Sequence, residues 1–351
     1  MATSAAERAA VQRALALAAS DGVPLGPNPR VGCVLLDAAG RTVGEGFHRG
    51  AGTAHAEVDA LRRAGEAARG ATAVVTLEPC DHTGRTGPCT QALLAAGVRR
   101  VVVAQRDPNP VAAGGADTLR AAGVEVELLD GELAAQARAL NAAWTFAVER
   151  GRPLVTWKVA TTLDGRSAAA DGTSRWISGA ASRRDVHRMR GLADAVVVGT
   201  GTVLADDPQL TVRDADDRPT AVQPLRVVVG LRDLPATARV LDDAAETVHL
   251  RTRDPHEVLA ALRARDRQHV FLEGGAHLAA AFVRAGLVDE LVVYTAPVLL
   301  GAGTPAVADL GITTIGAALR PRVTDVTVLE GGDVRTTAAL EPTGAAQERE
   351  A

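Results

Sequence analysis

Short apolar runs alternate with amphipathic stretches along the whole chain. In the first half, residues 31–37 (VGCVLLD) and 42–48 (TVGEGFH) read as strands joined by a turn at Ala39-Gly40. A helix is predicted over 55–68 and a strand over 72–77. A loop rich in Pro, Gly, Asp and Thr (EPCDHTGRTGPC) leads to a helix starting near Cys89 and a strand at 100–104. A helix–strand–helix follows over 115–149, and the opening MATSAAERAAVQRALALAAS is amphipathic. The charged segment Glu149-Arg150-Gly151-Arg152-Pro153 marks a boundary. Beyond it, apolar runs recur at 153–159, 194–199, 225–230, 269–274 and 289–299, with helices between them. Strands alternating with helices predict an α/β layered fold in each half. The polar tail 341–351 is expected to fray.

At roughly 150 residues per domain, 351 residues predict two domains, here 1–150 and 151–340. Net charge is −4 and eight residues are aromatic, with no basic run. Nucleic-acid binding needs a basic footprint, so a small-molecule partner is expected instead. No apolar run reaches the roughly 20 residues of a membrane helix. The charged N-terminus lacks the apolar segment of a signal peptide, so a cytoplasmic protein away from membranes is expected. The cysteine count is three, odd and low, which points to metal or catalysis over a disulfide framework.

The strongest chemical signal is His55-Ala56-Glu57, followed by Pro79-Cys80 and Pro88-Cys89. A catalytic zinc site has three protein ligands and leaves a fourth position for water. His55, Cys80 and Cys89 supply that number, and Glu57 stays free to move protons, as in zinc deaminases. Residues two apart inside a helix do not converge, so His55 and Glu57 face one site only if the helix begins there. Cys89 follows a Pro and opens a helical pattern, where free N–H groups stabilise a thiolate. A structural zinc protein fits poorly, because such sites are closed by four ligands. Cys33, in an apolar strand, reads as core.

The spacing Cys80-Asp-His-Thr-Gly-Arg-Thr-Gly-Pro-Cys89 departs from the short P-C-x-x-C of cytidine and tRNA-adenosine deaminases. Together with Asn28-Pro29-Arg30-Val31-Gly32, Gly44-Glu45-Gly46-Phe47-His48 and Asp107-Pro108-Asn109-Pro110, it closely resembles the deaminase domain of the bifunctional riboflavin-biosynthesis deaminase/reductases. That resemblance implies a cytidine-deaminase-like three-layer αβα domain. The substrate would be a diaminopyrimidinone bearing a ribosylamino 5′-phosphate. Asn28 would bind the ring, His82 would line the pocket and Arg85 would meet the phosphate. His48 is a weaker candidate that otherwise simply ends a strand.

In the second half, Gly199-Thr200-Gly201-Thr202 follows one apolar run and Glu273-Gly274-Gly275 follows another. Glycines after a strand let a backbone approach a ligand, and helix N-termini attract phosphate. The first is not a Rossmann fingerprint, since Leu204 stands where the third Gly belongs. Leu163-Asp164-Gly165-Arg166, Ser174-Arg175-Trp176-Ile177, Gly201 to Pro208 and Leu210-Thr211-Val212-Arg213 resemble the reductase domain of the same family, of dihydrofolate-reductase-like fold. The resemblance implies NADPH contacts from Ala160, Trp176, Thr202, Asp206 and Gly275, Ala276, His277 and Leu278. It implies substrate contacts from Ser174, Arg190, Leu210, Arg213 and Glu273. Trp176 by itself reads as core. Lys158, on a strand near this set, would polarise the opening sugar. A homo-oligomer is expected. The alternative is a single-function zinc deaminase whose second domain only binds nucleotide or assembles the oligomer.

Overall fold

The structure, a computed structural model, describes residues 3–20, 22–83 and 87–340. The chain divides into two compact units, Met1–Gly151 and Arg152–Ala351. The tail 341–351 lies outside the described residues.

The first unit contains α1 (Ala5–Ala18), β1 (Gly32–Leu36), β2 (Thr42–Phe47), α2 (Ala56–Ala64), β3 (Thr72–Val75), α3 (Cys89–Ala95), β4 (Arg100–Val103), α4 (Gly115–Ala121), β5 (Glu125–Leu128), α5 (Gly131–Leu140) and α6 (Ala142–Arg150). The sheet order is β2-β1-β3-β4-β5. β1 runs antiparallel to both neighbours, while β3, β4 and β5 are parallel. Alternation along β1 sends Cys33 and Leu35 into a core with Ala56 and Ala60 of α2, Leu93 of α3 and Leu119 of α4. It sends Val34 and Leu36 to the other face, against Ala10, Val11 and Ala14 of α1 and Ala137 of α5. Helices thus cover both faces of the sheet. Each such buried Val or Leu contributes about 1.5–3 kcal/mol by leaving water. α1 starts on a capping box in which Ser4 and Glu7 satisfy each other's backbone N–H. The helix expected to close this half is two helices, because Asn141 leaves the helical conformation between α5 and α6.

The second unit contains β6 (Leu154–Thr162), β7 (Arg166–Ala168), α7 (Ala180–Arg190), β8 (Ala195–Gly199), α8 (Thr200–Asp206), β9 (Leu225–Val229), β10 (Thr247–Leu250), α9 (Pro255–Arg263), β11 (His269–Leu272), α10 (Ala276–Arg284), β12 (Glu290–Ala296), β13 (Thr304–Pro305), β14 (Arg322–Val328) and β15 (Val334–Ala339). Its main sheet runs β10-β9-β8-β11-β6-β12-β15-β14, parallel through β12 and antiparallel at β15 and β14. α9 and α10 pack on one face through Val258, Leu262, Ala279 and Phe282. α7 and α8 pack on the other through Val186 and Val203. β12 ends at Ala296, short of the expected 299. β10, β14 and β15 were not expected from the pattern. β14 (RVTDVTV) is exposed along nearly its whole length, so its sequence carries no buried run. Among the described residues, no helix is long and apolar enough to cross a membrane.

Candidate active sites

In the first unit, α2 begins where convergence requires. His55 is its N-cap, with extended backbone, and Glu57 lies in its first turn. The helix rests directly on β2: a Cβ on Gly46 would sit 2.3 Å from the Ala56 carbonyl oxygen and 2.4 Å from the Ala60 nitrogen. Gly46→Ala is therefore expected to push α2 off the sheet, displacing His55 and Glu57 together. The measurement is zinc content and deaminase rate in a variant that still folds, and both are expected to fall.

The two thiols, Cys80 and Cys89, arrive from the segment after β3. Pro88 is the N-cap of α3 and Cys89 its first residue. Carboxylates on both sides of Cys80 hold its loop. Glu78 accepts the Ala116 and Asp107 N–H groups at 2.9 and 3.1 Å. Asp81 accepts the Thr90 and Thr118 hydroxyls at 2.7 and 2.6 Å. The result is a tight cluster: His55 Nδ1 lies 3.2 Å from Cys89 Sγ and 3.5 Å from Cys80 Sγ, with all three ligand atoms within 4.8 Å of one another.

This donor set fits a zinc ion. Contact with Cys89, and then with His55, holds the Cys80 thiol down at about 4 against the opposing effect of burial. The same contact and burial raise Cys89. Two sulfurs this close both ionise only beside a cation, which is what three ligands around Zn²⁺ provide. Glu57 is 3 % exposed. Burial raises its carboxyl above the usual range, and the Cys80 charge adds to that. It lies two residues from His55, in the first turn of α2, and its carboxyl is not one of the three clustered ligand atoms.

The ring-binding candidate Asn28 is held by a residue that sequence reading ranked low. His48 Nδ1 donates to the Ala54 carbonyl at 3.1 Å, so Nε2 accepts from Asn28 Nδ2 at 2.9 Å. Asn28 Oδ1 is thereby turned away from this bond. The His48 ring also meets His55 edge-on at 5.4 Å. Asn141, missed in the sequence, grips the same loop. Its side chain accepts from Arg30 N–H and donates to the Arg30 carbonyl, both at 2.8 Å. Only the fold brings these positions together. His82 has a buried Nδ1 with no hydrogen-bond partner among the described residues. Arg85 lies outside them.

In the second unit, the carboxyl ends of β8, β11 and β6 converge, the usual ligand side of a parallel sheet. Gly275 is the N-cap of α10. Its N–H donates to Thr202 Oγ at 3.3 Å, and Leu278 packs against Gly199 and Gly274. Thr202 and Gly275 to Leu278 therefore form one rim, with His277 exposed. Trp176 is 68 % exposed, which corrects its reading as core. The Arg183 guanidinium covers its ring at 4.6 Å, and neighbouring Arg175 donates to the Asp206 carbonyl. Ser174 is half-buried in the same segment.

Glu273 directly follows β11, and the β11–β6 register sets it beside Lys158. Arg190 forks onto Glu273 through Nε at 2.5 Å and Nη2 at 3.0 Å, and its Nη1 donates to the Thr211 carbonyl at 2.9 Å. Arg190 is thus largely committed to a buried ion pair. Burial opposes the charge on Glu273, but Arg190 and Lys158 outweigh it and hold the carboxyl below its usual range. Burial pushes Lys158 below the ordinary lysine range, with Arg190 adding to the shift and Glu273 opposing it. Ala160 lies two residues further along β6, paired with Tyr294 of β12. Arg213 lies across Thr211 Oγ and Gln209 Oε1 at 3.3 and 2.5 Å. Leu210 is 4 % exposed and its side chain is in the core, leaving the backbone as what it can offer a ligand.

Sequence comparisons match both units. The cytidine and deoxycytidylate deaminase zinc-binding region matches residues 4–105, and the RibD C-terminal domain matches residues 153–334. The first span holds the histidine, the two cysteines and Glu57; the second holds Lys158, Arg190 and Glu273. The chain is 55 % identical over 295 residues to a riboflavin biosynthesis protein RibD of Mycobacterium tuberculosis, covering 84 % of this chain and 86 % of that one. Against the Escherichia coli RibD the identity is 42 %, covering 82 % and 87 %. The solved RibD of Acinetobacter baumannii superposes with TM-score 0.86 at 40 % identity, covering 96 % of this chain and 99 % of that one. A deaminase/reductase of Thermotoga maritima gives TM-score 0.85 at 32 % identity, with the same coverage.

A zinc-site deaminase unit followed by a reductase unit defines a bifunctional enzyme. The chain belongs to the RibD family, the deaminase/reductases of riboflavin biosynthesis, with zinc and NADPH as cofactors. The reading of the second unit as a non-catalytic module is not favoured, since that unit matches the reductase domain itself.

Proposed function

We propose that the first unit hydrolyses the ring amine from a diaminopyrimidinone carrying a ribosylamino 5′-phosphate, and that the second reduces the ribosyl group of the product to ribityl. The observation that carries this is the convergence of His55, Cys80 and Cys89 with an unligated Glu57. The Thermotoga protein is itself described as a diaminohydroxyphosphoribosylaminopyrimidine deaminase and 5-amino-6-(5-phosphoribosylamino)uracil reductase.

In the deaminase, bound Zn²⁺ supplies a Lewis acid that makes water nucleophilic near neutral pH. Glu57 takes a proton from the attacking water and returns it to the departing amine, so water and the C–NH₂ group become C=O and ammonia. Asn28, set by His48, orients the ring. His82 lines the pocket and Arg85 meets the phosphate.

In the reductase, NADPH supplies a hydride. Ala160, Trp176, Thr202, Asp206 and the backbone of Gly275 to Leu278 hold that cofactor. Lys158 gives its proton to the sugar ring oxygen as the ring opens, leaving the new hydroxyl of the ribityl chain. Glu273, fixed by Arg190, faces the substrate with Ser174 and the backbone of Leu210, and Arg213 binds its phosphate, for which a guanidinium fork is suited.

Incubation of the zinc-loaded chain with the phosphorylated diaminopyrimidinone is the direct test. Mass spectrometry is expected to show replacement of one amine by oxygen, and with NADPH a further gain of two hydrogens with loss of nicotinamide absorbance. Product lacking the second change would remove the reductase half of this reading. A reducing, cytoplasmic setting is supported by three free cysteines. Self-association is supported by β14, an edge strand exposing Val323, Val326 and Val328.

A further inference from the structure

Strand β9 reads LRVVV, and its one charged residue is wholly buried: Arg226 is 0 % exposed. A buried guanidinium is costly unless its donors are matched, and here both terminal nitrogens are bonded while the buried Nε has no hydrogen-bond partner among the described residues. Arg226 Nη1 donates to Asp242 Oδ1 at 2.7 Å and to the Gln209 carbonyl at 3.2 Å. Nη2 donates to the Asp242 carbonyl at 2.5 Å and to that of Ala245. The second oxygen of Asp242, Oδ2, accepts from Gln209 Nε2 at 2.5 Å. The other end of that amide, Oε1, accepts from Arg213 Nη2. A continuous chain of hydrogen bonds thus runs from the buried Arg226, through the half-buried Asp242, to the guanidinium of Arg213.

The backbone between these points is held as firmly. Leu210 takes a left-handed conformation, φ 59°, with its side chain in the core. Such a conformation in a bulky residue persists only where its surroundings enforce it. Gln223 supplies part of that enforcement, accepting from Val212 N–H at 2.7 Å and donating to the Val212 carbonyl at 2.9 Å. Arg213 has two other side-chain acceptors. Asp217 is 78 % exposed, and the Thr211 hydroxyl is 3.3 Å away. Gln209 is the acceptor that is itself tied to the buried Arg226 through Asp242.

We infer that Gln209 is a positioning residue for the reductase, setting the Arg213 guanidinium toward the substrate phosphate through its link to the Arg226–Asp242 pair. This rests on the reading of Arg213 as the phosphate ligand. The role is one of preorganisation: a guanidinium already oriented loses less freedom on binding than one free to swing.

The test uses the full zinc-loaded chain and the deaminated, phosphorylated substrate with NADPH. Gln209→Met keeps length and removes both polar ends. It is expected to raise the substrate KM by about tenfold, the scale of one lost charge-assisted hydrogen bond. The change should fall on KM rather than kcat, with unchanged NADPH affinity by fluorescence titration. In the Arg213→Ala background the same substitution should add little. The exchanged pair Gln209→Glu with Asp242→Asn preserves the charge count and every bond in the chain, and should return KM toward the parent value, whereas Asp242→Asn alone should not. If Arg213→Ala leaves KM unchanged, the phosphate reading fails and this inference with it. If Arg213→Ala raises KM but Gln209→Met does not, the positioning role alone is wrong. Should Gln209→Met fail to fold, the exchanged pair decides, and no recovery relative to Asp242→Asn would overturn the inference.

Discussion

Glu57→Gln retains stoichiometric zinc and loses deamination by on the order of 10⁴-fold, the upper range for removing a positioned proton carrier. The amide is close in shape to the carboxylate, so α2 and the His55 cap stay in place. What disappears is the ability to accept a proton in a buried setting, which burial and the Cys80 charge tune by raising the carboxyl. Metal analysis and a deamination rate, measured on the same preparation, separate this from loss of the site. His55→Ala, Cys80→Ser and Cys89→Ser are the contrasting set, each expected to lose metal as well as activity. A Glu57→Gln variant that deaminates at the parent rate would refute the proton-carrier role. Reduction in the second unit should be untouched in all four.

Lys158→Met abolishes reduction by about 10³-fold while NADPH still binds. The side chain lies within the field of the Arg190–Glu273 pair: Glu273 favours its charge, whereas burial and Arg190 disfavour it. A group whose pKa is lowered releases its proton at lower pH than an ordinary lysine. If the ammonium is the proton donor, the reductase rate must fall as pH rises through that lowered value. The parent enzyme is therefore expected to lose reductase activity on the alkaline side before an unperturbed lysine would titrate. A flat profile through that region, or a Lys158→Met variant with near-parent kcat, would assign the proton to another group. Deamination serves as the internal control, since Lys158 belongs to the second unit.

Much of this was legible before any coordinates. The alternating pattern located most of the strands and the helices between them, because buried parallel strands must be written in runs of Val, Leu and Ile. The candidate zinc ligands were legible because few residue types bind zinc and each sits beside a structural punctuation mark, Pro79, Pro88 or the start of α2. β14 and β15 were invisible for the opposite reason: β14 is an edge strand exposed to water and β15, between β12 and β14, is only half-buried, so neither RVTDVTV nor VRTTAA needs a continuous apolar run. Trp176 by its residue type alone reads as core, since aromatic residues usually are buried; the position of its segment instead leaves the ring exposed under Arg183.

The chain's own order of residues determined which chemistry is available: one imidazole, two thiols and a carboxylate in the first half, and glycine turns after strands in the second. The tertiary structure decided which partners make those groups usable. His48 fixes Asn28, Asn141 grips Arg30 from 111 positions away, and Arg226 holds Gln209 from the middle of a buried strand. Local signals follow from backbone sterics and period, which act over a few residues. Hydrogen bonds that orient a side chain act through space, and their partners are known only once the sheet order has set which strands and loops are neighbours.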